Sequence, residues 1–154
     1  MEVKLAPIGR IRSPFRTKEQ CPVQFHASGA VGRVVIADDL VDGLKDIASF
    51  SHVYLLYLFD RASEVVMQRK TFLDDVEHGL FATRHPARPN PVGLSIVKLL
   101  SVDGPTLHVQ NIDVLDDTPL IDIKPYIPRF DHVAGASNGW VESKSWRPKP
   151  AGRE

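Results

Sequence analysis

Short apolar runs, rich in β-branched residues and separated by polar turns, dominate the chain. Residues 52–59 are almost all apolar and predict a strand that is buried on both faces. Residues 92–102 predict a second apolar strand. Asp103 and Gly104 predict a hairpin turn that connects it to an alternating, half-exposed strand over residues 106–112. Two further strands are predicted over residues 3–11 and 30–37.

Helical spacing of apolar residues is found over residues 38–50, where Asp38 or Asp39 is available to cap the first turn. Several short strands with turn residues between them predict a mainly β fold. We expect a single small antiparallel β-barrel with one short helix and long proline-rich loops. Residues 1–140 are assigned to this barrel domain, and residues 141–154 to a C-terminal extension whose end is expected to be disordered.

A proline-rich, cationic loop over residues 81–93 fits no regular element. Its prolines exclude a helix and a central strand, and its arginines and histidine are unsuited to a core. Apolar runs flank the loop on both sides, so it is held between buried elements, as binding loops commonly are. A solvated connector is the alternative interpretation. The residues that give the loop this character are Arg84, His85, Pro86, Arg88, Pro89, Asn90 and Pro91.

A second unusual segment, residues 113–128, holds four aspartates within ten residues, together with three prolines. Its alternation with apolar residues indicates that part of the backbone is strand-like and anchored. Asp116 and Asp117 are equally well explained by turn chemistry, in which the side chains bond to nearby backbone. A divalent-cation site is a weaker alternative, because the spacing, glycine and glutamate of an EF-hand are absent. No metal site is predicted.

Composition and charge narrow the class of protein. The 154 residues suit one domain with a sizeable core, and no apolar run is long enough to span a membrane. The first residues do not form a secretory signal, and the lone Cys21, interpreted as inert, fits a reducing cytoplasm. The net charge is zero, yet residues 1–33 hold six Lys/Arg against two acids, whereas residues 99–139 hold two against six. A local basic surface for a phosphate backbone is compatible with this distribution.

Several short motifs occur one after another within residues 5–130, and their order along the chain is informative. They are Ile8-Gly9, Ser13-Pro14-Phe15, Pro22-x-Gln24, Phe50-Ser51-His52, Phe81-Ala82-Thr83-Arg84, Arg88-Pro89-Asn90-Pro91-Val92-Gly93-Leu94-Ser95, Asp116-x-Thr118-Pro119 and Asp122-Ile123-Lys124-Pro125-Tyr126. This order resembles the TsaA-like (YaeB/TrmO) family. The resemblance implies a β-barrel that binds S-adenosylmethionine (SAM), usually as a homodimer. It also implies an enzyme that methylates N6 of N6-threonylcarbamoyladenosine (t6A) at position 37 of tRNA, and the cysteine usage leads us to expect a cytoplasmic location.

The same resemblance implies which residues form the site. An arginine is expected to pair with the SAM carboxylate, an aspartate with its ammonium or ribose, and Leu94 with its adenine. A general base for N6 is sought among Asp116, Asp117 and Tyr126. Arg88 and Asn90 are expected to bind the substrate, through its threonyl carboxylate or a phosphate. The implied cofactor residues are Pro22, Val23, Gln24, Asp60, Arg61, Arg84, Leu94, Asp116, Thr118, Pro119 and Leu120.

Two positions depart from the family pattern. Val23 replaces a common arginine, and Asp117 replaces the glycine of Asp-Gly-Thr-Pro, which removes a residue free to take positive φ. Longer bacterial members also carry a further C-terminal domain. Two alternatives therefore stand beside the tRNA enzyme: a SAM-dependent methyltransferase for a different small substrate, and a non-catalytic SAM-binding module.

Overall fold

Antiparallel strands form a closed barrel in the structure, a computed structural model that describes residues 1–153. The strands are β1 Gly9–Arg12, β2 Val31–Ile36, β3 His52–Leu58, β4 Gln68–Lys70, β5 Glu77–Gly79, β6 Val92–Asp103, β7 Thr106–Gln110 and β8 Thr118–Pro125. The order around the barrel is β1-β2-β7-β6-β3-β8, and β8 pairs with β1 to close it. The predicted mainly β, antiparallel barrel is confirmed.

The barrel interior is filled by side chains that point inward from every second position of the strands. In β3, Val53, Leu55 and Tyr57 are buried, whereas the residues between them are half-buried. This strand was predicted to be buried on both faces, but it alternates because the barrel covers only its inner face. Ile11, Leu107 and further apolar side chains complete one continuous core.

The apolar strands agree with the sequence-based prediction, whereas the start of β1 and the polar hairpin do not. The predicted hairpin at residues 103–106 is confirmed, since β6 pairs with β7 antiparallel across it. Residues 3–8 are not in a strand, and β1 begins only at Gly9. Strand β8 lies in the segment whose alternation indicated a partly strand-like backbone, and Pro119 and Pro125 lie near its two ends, where a missing N–H is tolerated. The polar β4–β5 hairpin was not anticipated.

The helix predicted over residues 38–50 is wrong in type and length. Two 3-10 helices, Asp38–Leu44 and Ile47–Ser49, replace it, separated by Asp46 in the left-handed region at φ 68°. Ala37 is the N-cap, and no side chain caps the first turn. Leu44 and Ile47 still pack against the core, so tertiary contacts rather than helical propensity hold this segment. Other short helices are α1 Pro128–Asp131 and the 3-10 helices Phe25–Ala27, Leu80–Ala82 and Gly139–Val141.

The C-terminal extension, for which the sequence predicts a disordered end, follows the surface beside β4 and β5. Arg147 donates through Nε to the carbonyl of Phe72 at 2.6 Å and pairs with Asp75 at 3.2 Å. Arg153 reaches the same carboxylate at 2.6 Å. The extension thereby lies along the loop before β5. No helix within residues 1–153 is long and apolar enough to cross a membrane.

Candidate functional site

An open cleft of about 840 Å³ lies at the barrel end where β3 finishes and where β6 and β8 begin. Phe59, Val92 and Leu94 supply apolar surface to it, and five Lys/Arg against two acids supply a positive charge. The volume is within the usual range for small-ligand sites, roughly 300–1,000 Å³. The cleft is therefore suited to a ligand that has both an apolar part and an anionic group.

Two sequence motifs that lie far apart in the chain meet across this cleft. Arg84 of the proline-rich loop donates through Nη1 to Oε1 of Gln24 at 2.9 Å. Gln24 is a neutral partner, so the contact orients the guanidinium without cancelling its charge. Pro22 and Val23 line the same side of the cleft. The predicted cofactor residues of both motifs are thus brought together.

A second contact joins the end of β3 to the start of β8. Arg61 donates through Nη2 to the hydroxyl of Thr118 at 3.0 Å and through Nε to the Asp60 carboxylate at 3.2 Å. The Thr118 hydroxyl in turn donates a hydrogen bond to the carbonyl of Leu115 at 2.7 Å. Asp60, Arg61 and Thr118, three of the predicted residues, therefore form one polar edge of the cleft.

A hydrogen-bonded chain that the sequence did not reveal forms the inner wall. Ser95 donates to Oδ1 of Asp113 at 2.5 Å, and the Tyr57 hydroxyl lies 2.9 Å from Ser95 Oγ. Because the single Ser95 proton goes to the carboxylate, Tyr57 must be the donor to Ser95. Gly93 makes this geometry possible, since a Cβ there would overlap the Tyr57 ring. Tyr57, Gly93 and Asp113 line the cleft, and Ser95 is fully buried behind them.

Burial shifts the pKa of the groups along this wall. It raises the pKa of the Asp113 carboxyl to about 6, although the Ser95 hydrogen bond and the positive charge of Arg84 oppose the shift. Burial, aided by the Asp113 charge, likewise raises the pKa of Tyr57, which therefore stays a phenol and a donor. Burial also raises the pKa of the Cys21 thiol to about 12, in keeping with its interpretation as an inert residue.

The two predicted substrate residues differ in their surroundings. Arg88 lines the cleft but directs Nη1 at the carbonyls of Leu80 and Thr83, at 3.2 and 2.9 Å. It thus holds the proline-rich loop in shape. Asn90 is exposed outside the cleft lining, where its carbonyl accepts the N–H of Val92 at 2.7 Å.

The predicted general bases Asp116 and Asp117 do not line the cleft. Asp116 is buried under Arg16, at 2.5 Å, and accepts the backbone N–H of Ser13 at 3.0 Å. Asp117 is exposed at φ 63° and pairs with Arg12 at 3.0 Å. An aspartate tolerates the left-handed region better than most residues, which explains how it stands where glycine is common.

Three further predicted residues also lie away from the cleft. Leu120 is fully buried in the barrel core, and Pro119 is buried beside it opposite Arg10 of β1. Tyr126 packs on Tyr54, with ring centroids 5.5 Å apart, next to the start of β3. Since the cleft is at the other end of β3, six residues or roughly 20 Å along an extended strand separate Tyr126 from it.

Two tryptophans that the sequence did not indicate, Trp140 at the end of the barrel domain and Trp146 in the C-terminal extension, contribute to the cleft. Trp140 donates through Nε1 to the carbonyl of Ala82 at 2.9 Å and stacks on His78. Trp146 packs edge-on against Phe72, with centroids 4.9 Å apart. Both tryptophans line the cleft. Their position could not be inferred from the sequence because residues 140–154 have no strand or helix pattern.

A closed antiparallel barrel with a cationic, partly apolar cleft at one end defines a domain built to bind a small polar ligand. Residues 10–132 match the family model described as the tRNA-methyltransferase O N-terminal domain, and the chain belongs to this family. The predicted family is thereby confirmed.

Relatives and solved structures agree with this assignment. A probable SAM-binding protein of Pyrococcus abyssi is 44% identical over 88% of this chain and 74% of its own length. The tRNA (adenine(37)-N6)-methyltransferase of Escherichia coli is 32% identical over 88% of this chain and 63% of its own. A crystal structure of TrmO superposes with a TM-score of 0.78 at 40% identity. That match covers 90% of this chain and 64% of the solved one, so the chain spans under two thirds of that structure.

Proposed function

We propose that this chain is a SAM-dependent methyltransferase that transfers a methyl group to N6 of t6A at position 37 of tRNA. The observation that carries the proposal is the meeting of Gln24 with Arg84 and of Arg61 with Thr118 in one cleft. The names of the relatives agree with the predicted enzyme class and cofactor.

The cleft fits SAM by the chemistry of its walls. The Arg84 guanidinium, held by a neutral amide, is free to pair with the cofactor's carboxylate. The Asp60 carboxylate is placed to accept a hydrogen bond from the ammonium or a ribose hydroxyl of SAM, and the exposed side chain of Leu94 offers an apolar surface for the adenine ring. When bound, SAM supplies an activated methyl group. The protein's task is then to hold the acceptor nitrogen in line with that methyl.

The charge of the cleft supports a polyanionic substrate. The cationic residues of its lining outnumber the acids although the whole chain is neutral. Clustered Lys/Arg provide the sequence-independent part of nucleic-acid binding. The five cations are Lys18, Arg61, Arg84, Arg88 and Lys149.

We propose in addition that the protein acts as a cytoplasmic homodimer. Phe81 and Leu94 line the cleft and remain 72% and 57% exposed, so the open side presents apolar surface that a second subunit would cover. Sedimentation at micromolar concentration tests this, with a dimer mass expected and a monomer mass contradicting it.

The test of the activity uses purified protein, labelled SAM and tRNA from a strain that makes t6A. Nucleoside mass spectrometry is expected to detect methylated t6A, and tRNA from a strain lacking t6A is expected to remain unlabelled. Arg84→Gln is expected to weaken SAM binding by about 10–100-fold, because it removes one charged partner. Arg129→Gln, an exposed change in α1 beside Tyr126, is the matched control.

Three results would contradict the proposal in different ways. Equal labelling of tRNA without t6A would reject the acceptor. Labelling confined to a non-RNA fraction of cell extract would favour the small-molecule methyltransferase. SAM binding without transfer to any fraction would favour the non-catalytic module.

A further inference from the structure

The chain from Tyr57 through Ser95 to Asp113 has a fixed direction that ends on a carboxylate at the cleft. Tyr57 donates to Ser95, and Ser95 donates to Asp113, so each proton is directed toward the Asp113 oxygens. The Phe25 backbone N–H is a further donor to this carboxylate. These donors hold the carboxylate rigidly and carry no formal charge.

This arrangement is costly if its only purpose is to stabilise the fold. A carboxylate taken out of water loses hydration, and neutral hydrogen bonds recover only part of that free energy. The strands fill the inward positions of the barrel with side chains such as those of Val53 and Leu55, whereas Asp113 lies in the loop between β7 and β8, at the cleft wall. A desolvated carboxylate at the wall of a ligand cleft is instead a common feature of catalytic bases.

We propose that Asp113 is the general base of methyl transfer, and that Ser95 and Tyr57 are positioning residues that orient its carboxylate. The proposal rests on the function proposed above. As the new bond from the methyl carbon to N6 forms and the carbon–sulfur bond breaks, the N6–H proton passes to Asp113. The thioether product is neutral, the methylated nitrogen is neutral, and the protonated Asp113 returns its proton to water through the open cleft.

The surroundings of Asp113 are suited to a base that works near neutral pH. Arg84 is the cation that favours its ionised form, while Cys21 donates to its backbone carbonyl at 2.9 Å. Cys21 and Tyr57 have raised pKa values and stay neutral over this range. The raised pKa of Asp113, about 6, leaves it ionised at pH 7 yet more basic than an exposed aspartate.

The experiment compares kcat with pH for wild type, Asp113→Asn and Ser95→Ala on t6A-containing tRNA at saturating SAM. Wild type is expected to gain activity up to an apparent pKa near 6. Asp113→Asn is expected to lose about 10²–10⁴-fold in kcat and to lose this acid limb, while its dissociation constant for SAM changes less than about threefold. Ser95→Ala is expected to shift the limb to higher pH, because the Ser95 bond lowers the pKa of Asp113.

Each outcome decides one question. A wild type that methylates t6A, with an Asp113→Asn variant within threefold of it and an unchanged pH profile, overturns the base assignment and leaves the proposed function intact. A wild type inactive on every tRNA rejects the proposed function itself. If Asp113→Asn fails to fold, the Ser95→Ala variant tests the base assignment. An acid limb of its kcat–pH profile that stays at the wild-type position overturns the proposal.

Discussion

Asp113 and Asp116 lie three residues apart in one acidic segment, yet their surroundings have little in common. Asp113 is held by hydroxyl and amide donors at the cleft wall. Asp116 sits beneath Arg16 and Arg12, which are 74% and 46% exposed, on the outside of the barrel end. Burial disfavours the charged form of Asp113, whereas the charge of Asp116 is balanced by its two arginine partners. The comparison sets the proposed base apart from a carboxylate that is held in ion pairs.

The largest expected effect is on the reactivity of Cys21, which reports how far water reaches the cleft wall at Asp113. Cys21 lies beside Asp113, and its pKa is raised to about 12 mainly by burial. At pH 8 we expect its reaction with a thiol reagent to be at least ~100-fold slower than that of an ordinary cysteine, because the reactive thiolate is nearly absent. The rate is read from absorbance, with urea-unfolded protein as the reference. Comparable rates in the two states would mean that water reaches this wall freely.

A substitution at Gly93 would disturb the same wall from β6. In Gly93→Ala the added methyl overlaps the ring of Tyr57, so the ring must leave its place against Ser95. We expect a loss of about 3 kcal/mol in the free energy of unfolding, measured with urea. Gly43→Ala, whose methyl meets open space, is the control and is expected to change stability by less than about 1 kcal/mol. A Gly93→Ala loss as small as that of the control would show that the ring is not confined.

The contrast between the two aspartates also marks how far the sequence could go. Local pattern predicted β3, the β6–β7 hairpin and the rigid loop around Arg84, because each depends on neighbours in the chain. The family resemblance brought Gln24 and Arg84 to one site, and the structure places them in contact. The proposed role of Asp113 depends on Ser95 of β6 and Tyr57 of β3, which only the fold brings to the loop that carries Asp113. No spacing within residues 113–117 encodes that, so sequence reasoning points to Asp116, Asp117 and Tyr126 as candidate bases and not to Asp113.

The pH dependence of stability reports on the titration of Asp113. Because the pKa of Asp113 is raised, folded protein binds more protons than unfolded protein between pH 4 and 6. Its contribution is therefore fully present below the unfolded pKa and is lost as pH rises through about 6. Asp113→Asn lacks this titration, so we expect wild type to lose about 2 kcal/mol relative to the variant from pH 4 to 8. Urea unfolding at each pH measures it, and a wild type that gains stability relative to the variant as pH rises would contradict the direction of the shift.

The smallest expected effect concerns Asp116. Asp116→Asn keeps an oxygen for the Ser13 N–H but removes the charge that pairs with Arg16 and Arg12. Since the Arg16 side chain is largely exposed and that of Arg12 is about half exposed, solvent screens the pairs and we expect a loss of about 1 kcal/mol at low salt. This loss should shrink as sodium chloride is raised to 0.5 M, because exposed charges are screened. Asp113→Asn, whose hydrogen-bonding partners are neutral, is the matched comparison and should show less salt dependence. A salt-independent loss at Asp116 would mean that its hydrogen bond, rather than its charge, stabilises the barrel end.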